Sequence, residues 1–193
     1  MIQENLFKEA YAAITQVHAQ DIKTETSDGK DYPSELLYSQ RMHKALMEFD
    51  ENADYIMQLA ALCQHFERWV ILRSTYPMDK KGYYDWRKGV MAYQLERTAE
   101  VLTSCGVVQE DIDEIADILM NRGKKGHQKG QVMEDVACIV FVECYLEAFA
   151  AKHEMPKVLD IVTKTVKKIS EAGMQAILKR PLSEAVQNIL KQL

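Results

Sequence analysis

Glycine and proline are scarce in this sequence, at 8 and 4 of 193 residues. So few turn formers exclude collagen-like and linker-like chains and argue against a sandwich of many short strands. The 4 cysteines, at 63, 105, 138 and 144, form no Cys-x-x-Cys pair and sit in apolar stretches. That spacing excludes a zinc ribbon or dithiol redox motif and predicts reduced, buried thiols, as in a cytoplasmic protein. No uncharged apolar run reaches the length of about 18 residues that a membrane span needs. Met1-Ile2-Gln3-Glu4-Asn5 lacks the basic start of a signal peptide, so neither membrane nor export is expected. Positive charge is also in deficit: 24 Lys and Arg against 29 Asp and Glu give a net charge of -5. No chain-wide field therefore draws nucleic acid. What the chain does have is apolar residues, 47% of the total, enough for a real core.

Those apolar residues recur at helical intervals. Leu6, Ala10, Ala13, Ile14 and Val17 mark a first amphipathic helix ending by about residue 20. Residues 21–33 are polar and turn-forming and read as an exposed loop, with Pro33 suited to a helix first turn. Helices follow over 34–49 and 53–70, with Asp50-Glu51-Asn52 as the break and cap between them. Residues 73–82 hold Ser-Thr-Tyr-Pro-Met-Asp-Lys-Lys-Gly, too rich in special residues for an ordinary connection. A long helix over 83–105 closes at Gly106, and a shorter one spans 109–121. After the basic loop 122–130, residues 132–152 are apolar on nearly every side and are expected at the centre of the bundle. Pro156 opens another helix, and two short ones cover 171–179 and 183–192. The fold class is all-α, a single compact domain over 1–193 of about eight helices.

Chemistry should concentrate in a few polar residues on these helices. Glu134 and Asp135 begin the most apolar helix, where a carboxylate needs a cation, a metal or several donors; capping the helix start is the bland alternative. His65 is expected on a helix face shared with Ala61, Arg68 and Trp69. Arg68, Arg73 and Arg87 surround Tyr76 and Trp86, a set suited to a phosphate or carboxylate, with surface ion pairs as the alternative. The loop 123–130 lacks the glycine order of a phosphate loop. Lys164, Lys167 and Lys168 share a basic helix face that has no aromatic residues for nucleic acid, so a solvated face is the default.

Two long motifs carry a resemblance. The first runs from Gln64-His65-Phe66-Glu67-Arg68-Trp69 through Arg73-Ser74-Thr75-Tyr76-Pro77-Met78 to Gly82-Tyr83 and Trp86-Arg87. The second is Glu134-Asp135-Val136-Ala137-Cys138-Ile139-Val140-Phe141-Val142-Glu143. With Tyr38 and Arg41-Met42 before them and Lys164-Thr165 and Lys168 after, the chain resembles the family catalogued as Domain of Unknown Function 4202. The resemblance implies a helical fold similar to the HD-domain metal-dependent phosphohydrolases. The chain departs from the family pattern at Leu72, where proline is usual, and at Gln94, where a histidine is expected. It also has no His-Asp dipeptide.

The leading expectation is thus an HD-like, metal-dependent phosphohydrolase of a small phosphorylated or nucleotide-like compound. His65, Glu134 and Asp135 would be catalytic, and His65 and Asp135 would hold a divalent Mn, Mg or Zn ion, weakly because Gln94 replaces a ligand. Arg68, Arg73, Tyr76, Trp86, Arg87, Gln94, Lys164 and Lys168 would bind the anion. The rival is a non-catalytic binding domain for a small anionic ligand or protein partner. Neither nucleic acid nor membrane is an expected partner.

Overall fold

The computed structural model describes residues 2–192, and the chain divides into two compact units. The first comprises Met1–His43 and Ala53–Met120, the second Lys44–Asn52 and Asn121–Leu193. Both are mostly helical, as the apolar spacing requires, and the only strands among the described residues form one small hairpin.

In the first unit, helix α1 (Ile2–His18) leads into strands β1 (Thr24–Ser27) and β2 (Lys30–Pro33). Sequence reading made 21–33 a plain loop. The strands instead pair antiparallel with Ser27 opposite Lys30. Asp28 and Gly29 turn between them at φ 51 and 74, the doubly left-handed turn that matches strand twist. Pro33 therefore ends a strand, and α2 (Ser34–Phe49) starts just after it.

Helix α3 (Tyr55–Leu62) is shorter than the expected 53–70, and its cap is Asp54, whose carboxylate accepts from the Met57 N–H at 2.8 Å. The expected cap at 50–52 lies outside the helix. A 3-10 turn (Arg73–Thr75) precedes α4 (Lys80–Ser104), then α5 (Gln109–Met120). Gly106 ends α4 at φ 83, as its position implied. Ile14, Leu59, Leu62, Phe66, Leu102, Ile115 and Ile118 fill this unit's core.

The second unit contains α6 (Gln128–Val140), a π-helical turn (Phe141–Tyr145) and α7 (Leu146–Ala150). Sequence periodicity predicts one regular helix over 132–152; the structure starts it earlier and interrupts it with the π turn, which carries an extra residue in its hydrogen-bonded ring. Met133, Val136, Ile139, Val140 and Leu146 are buried along it. Helices α8 (Met155–Val166), α9 (Glu171–Leu178) and α10 (Glu184–Leu190) complete the unit, with Pro156 in the first turn of α8. Two of the four cysteines, Cys63 and Cys138, are buried as expected, and burial pushes each thiol up to about 12, so both stay protonated. Cys105 and Cys144 are only half-buried. No helix among the described residues is long and apolar enough to cross a membrane.

Candidate functional site

The polar end of α3 is built by an interruption. The chain leaves α3 at Cys63 and then holds His65 at φ 60 and Glu67 at φ 47, left-handed conformations that strain any residue with a Cβ. His65 is thus in a tight turn, not on the helix face that its spacing with Ala61 predicts. Flanking contacts hold the turn in place. Phe66 is fully buried with its ring edge-on to His18 at 5.2 Å, and Glu67 accepts from Arg97 Nε at 2.7 Å and from the Tyr93 hydroxyl at 3.1 Å. The last α3 carbonyl, of Leu62, accepts from His18 Nε2 at 3.0 Å and from the Ser39 hydroxyl at 2.9 Å.

Opposite this turn stands Glu35, in the first turn of α2. Asp21 fixes it there, accepting the Glu35 N–H at 3.0 Å and the Lys23 N–H at 2.9 Å. Burial pushes the Glu35 carboxyl up to about 7, outweighing the opposing pull of the Arg68 charge. Its Oε2 lies 3.4 Å from Nδ1 of His65. The imidazole stacks on Tyr38 with centroids 4.4 Å apart and planes 11° from parallel. Arg68 Nη1 is 2.9 Å from His65 Nε2. The same Arg68 Nη1 is 3.2 Å from His65 Nδ1, so the guanidinium, which only donates, lies against both nitrogens of the ring. The Arg68 guanidinium in turn lies 5.6 Å from the Trp86 ring centroid. Glu35, His65, Arg68 and Tyr38 therefore make one proton-bearing cluster with a fixed cation at its edge.

The acids of α6 have a different environment. Asp135 Oδ1 accepts from the Ser170 N–H at 2.8 Å and from Gln131 Nε2 at 2.9 Å, and its Oδ2 accepts from the Ser170 hydroxyl at 2.5 Å. Ser170 caps α9, so Asp135 braces a helix start. Glycine at 173 is required there, because a Cβ would stand 2.8 Å from the Asp135 carboxyl carbon. Glu134, also buried, pairs with Arg122 Nε at 2.9 Å and with Lys168 Nζ at 3.7 Å. Both carboxylates are satisfied by donors of their own unit.

The remaining expected residues divide between the units. Arg73 donates to the Tyr76 carbonyl at 3.1 Å and the Asp79 carbonyl at 3.3 Å, stiffening the loop before α4. Tyr76 packs against α4, where a Cβ on Gly89 would stand 2.5 Å from its hydroxyl. Trp86 Nε1 donates to the Ile71 carbonyl at 3.0 Å. Arg87 is exposed on α4. Gln94 is buried, and its Nε2 finds no hydrogen-bond partner among the described residues. Lys164 pairs with Asp160 on the surface of α8 at 2.6 Å. The cluster thus brings together His65, Arg68 and Trp86 from the expected set and adds Glu35, which sequence reading missed. The one signal for Glu35 is its three-residue spacing from Tyr38, which puts both on one face of α2.

A divalent metal, implied by the resemblance to HD-domain enzymes, does not fit these donors. Among the described residues no three His, Cys, Asp or Glu side chains are grouped to hold an ion. The Asp135 oxygens that would bind it already accept three protein donors.

The family described as a domain of unknown function (DUF4202) matches residues 8–190, and the chain belongs to it. No curated protein and no solved structure matches the chain.

Proposed function

We propose that the chain is a hydrolase of a small phosphorylated or nucleotide-like compound, with Glu35 and His65 handling the proton and Arg68 holding the anion. The observation that carries this reading is the Glu35 carboxyl, raised to about 7 by burial and set 3.4 Å from the His65 ring. A carboxyl titrating near neutrality is matched to accept a proton from water and return it to a leaving oxygen. His65 sits between that carboxyl and the Arg68 cation, and its ring orientation is fixed by stacking on Tyr38. A phosphate group drawn to Arg68 would place its phosphorus within reach of a water held by Glu35. The water oxygen then bonds to phosphorus, the ester bond to the leaving oxygen breaks, and the water proton passes through Glu35 to that oxygen. No step requires a metal. In this reading Glu134 and Asp135 secure the second unit and take no part in the reaction. The HD-like frame remains part of the proposal, supported by the position of His65 just after the α3 helix.

The test is hydrolysis of a panel of phosphate monoesters and nucleotides by the wild type, with and without added Mg²⁺, Mn²⁺ or Zn²⁺. Glu35→Gln and His65→Ala should each lower kcat by about a hundredfold or more, the usual contribution of a positioned acid or base. Arg68→Ala should mainly raise KM. The kcat/KM profile should turn near pH 7. A wild type that turns over nothing on the panel but is stabilised by phosphate would assign the cluster to non-catalytic anion binding. Full activity in Glu35→Gln would remove the carboxyl from the mechanism.

A further inference from the structure

Outside this cluster, the first turns of α4 present an exposed surface of aromatic rings and cations. Tyr83 is 42% and Tyr84 55% exposed, and Met78 just before them is 79% exposed. Lys80, Lys81, Arg87 and Lys88 are exposed around the two rings, and none of the four forms an ion pair among the described residues. At about 100° per residue, Lys80, Tyr83, Tyr84, Arg87 and Lys88 fall on one side of the helix, with Lys81 at its margin. Asp85 is turned about 100° away from Tyr84 and lies beside Lys81 and Lys88 on the helix, but forms no ion pair with either. The other nearby acid, Asp79, is occupied as the α4 cap, accepting from the Gly82 N–H at 2.7 Å. Trp86 donates to the Ile71 carbonyl, and its ring lies 6.1 Å from that of Tyr83 at the border of this face. A chain of net charge -5 thus gathers cations without ion pairs and exposed aromatic rings on one helix face.

We propose that this face binds single-stranded nucleic acid. Cations without counter-charges suit a phosphate backbone, and exposed rings between them suit the flat faces of unpaired bases, whatever their sequence. From Lys80 to Lys88 the face runs about 12 Å along the helix axis, room for a few stacked bases. A duplex hides its base faces, so it could use the cations only. A bilayer would call for apolar and charged residues on opposite sides of the helix, whereas here they alternate on one side. The face has the aromatic residues that Lys164, Lys167 and Lys168 lack, which is why the general expectation against nucleic acid does not extend to it. This proposal goes beyond the hydrolase reading and does not depend on it.

Fluorescence anisotropy with end-labelled oligo-U and oligo-dT, the corresponding duplex, and anionic phosphatidylserine vesicles as competitor tests it. Single strands should bind more tightly than duplex, with affinity falling as salt rises. Tyr84→Ala should weaken binding by about tenfold, and Tyr84→Phe, which keeps the ring, should restore it. Lys80→Ala and Lys88→Ala should each lower the slope of log affinity on log salt by about 0.7. These side chains are exposed, and unchanged melting curves will show that the variants fold. His65→Ala should bind oligonucleotide like the wild type, which separates this site from the hydrolytic cluster. Equal affinity of Tyr84→Ala and wild type, equal binding of duplex and single strand, or capture by vesicles in preference to oligonucleotide would overturn the proposal.

Discussion

Asp135, midway along α6, and Glu35, in the first turn of α2, are both helical acids largely withdrawn from water, yet their surroundings pull in opposite directions. Asp135 has three donors from Ser170 and Gln131 and serves as the acceptor around which α9 begins. Glu35 has lost solvent without gaining equivalent donors, so its carboxyl is raised to about 7, and its neighbour His65 is held in a strained turn. A completed hydrogen-bond set marks an acid that stabilises the fold. In the proposed reading, an incomplete one beside a strained histidine is what leaves Glu35 available for proton transfer. Burial alone does not distinguish the two, which is why the sequence points to Glu134 and Asp135 first.

The contrast is most sharply tested at Asp135. Asp135→Ala leaves the Ser170 N–H and hydroxyl without their acceptor, while Gln131 Nε2 keeps the Lys168 carbonyl at 2.9 Å, and unsatisfied buried donors cost on the order of 1–3 kcal/mol each. A loss of about 3 kcal/mol is expected in urea unfolding, after some of these donors reach water. Asp135→Asn keeps one oxygen acceptor and should lose less. If Asp135→Ala is as stable as the wild type, the carboxylate is not a brace and the distinction between the two acids fails.

Much of the helical frame was legible, because its signals are local. The periodic apolar residues of α1, α2, α5 and α8, Gly106 after α4 and Pro156 at the start of α8 all act within a turn or two of chain. The β hairpin was also legible in principle, since Asp28-Gly29 is the dipeptide its turn requires, but the polar strands hid it. The early end of α3 was not. Nothing in Gln64-His65-Phe66-Glu67 breaks a helix by propensity; the left-handed residues are imposed by Phe66 entering the core and Glu67 reaching Arg97, thirty positions away. Glu35 was invisible for a related reason. A first-turn glutamate normally sits in water against the positive end of its helix, and only tertiary packing buries this one. The motifs did mark His65 and Arg68, but as members of a helix face, with no means of showing that a turn brings them against α2.

The second test reads the titration of Glu35 through stability. With its pKa raised from 4.5 to about 7, the folded chain keeps a proton across pH 4.5–7 that the unfolded chain has released. This group's stabilisation is therefore full below pH 4.5 and is lost as pH rises through 7. Glu35→Gln removes that dependence. Relative to the wild type it should gain about 2 kcal/mol between pH 5 and pH 8, a figure reduced from the full shift for partial exposure of the carboxylate. His18, whose buried ring is shifted down, contributes the opposite slope in both proteins; because the Glu35 charge is one of those that raise it, Glu35→Gln lowers it further and adds to the difference with the same sign. A difference curve that is flat with pH would show that Glu35 is an ordinary solvated acid.

The smallest expected effect isolates the strain at His65. His65→Ala and His65→Gly both remove the ring, so both lose the stack on Tyr38 and the contact with Arg68. They differ only in what φ 60 demands of a Cβ. Left-handed backbone costs a residue with a Cβ about 1 kcal/mol and costs glycine almost nothing, so the glycine variant should be the more stable by about that amount. Position 137 in the second unit provides the control. Ala137 lies inside α6, where glycine is worse than alanine by about 1 kcal/mol, so Ala137→Gly should move stability the other way. Paired thermal melts at matched concentration resolve opposite signs even when each effect is small. If glycine is unfavourable at both positions, the turn at His65 is relaxed, and the poised histidine loses the backbone strain that separates it from the well-satisfied acids of α6.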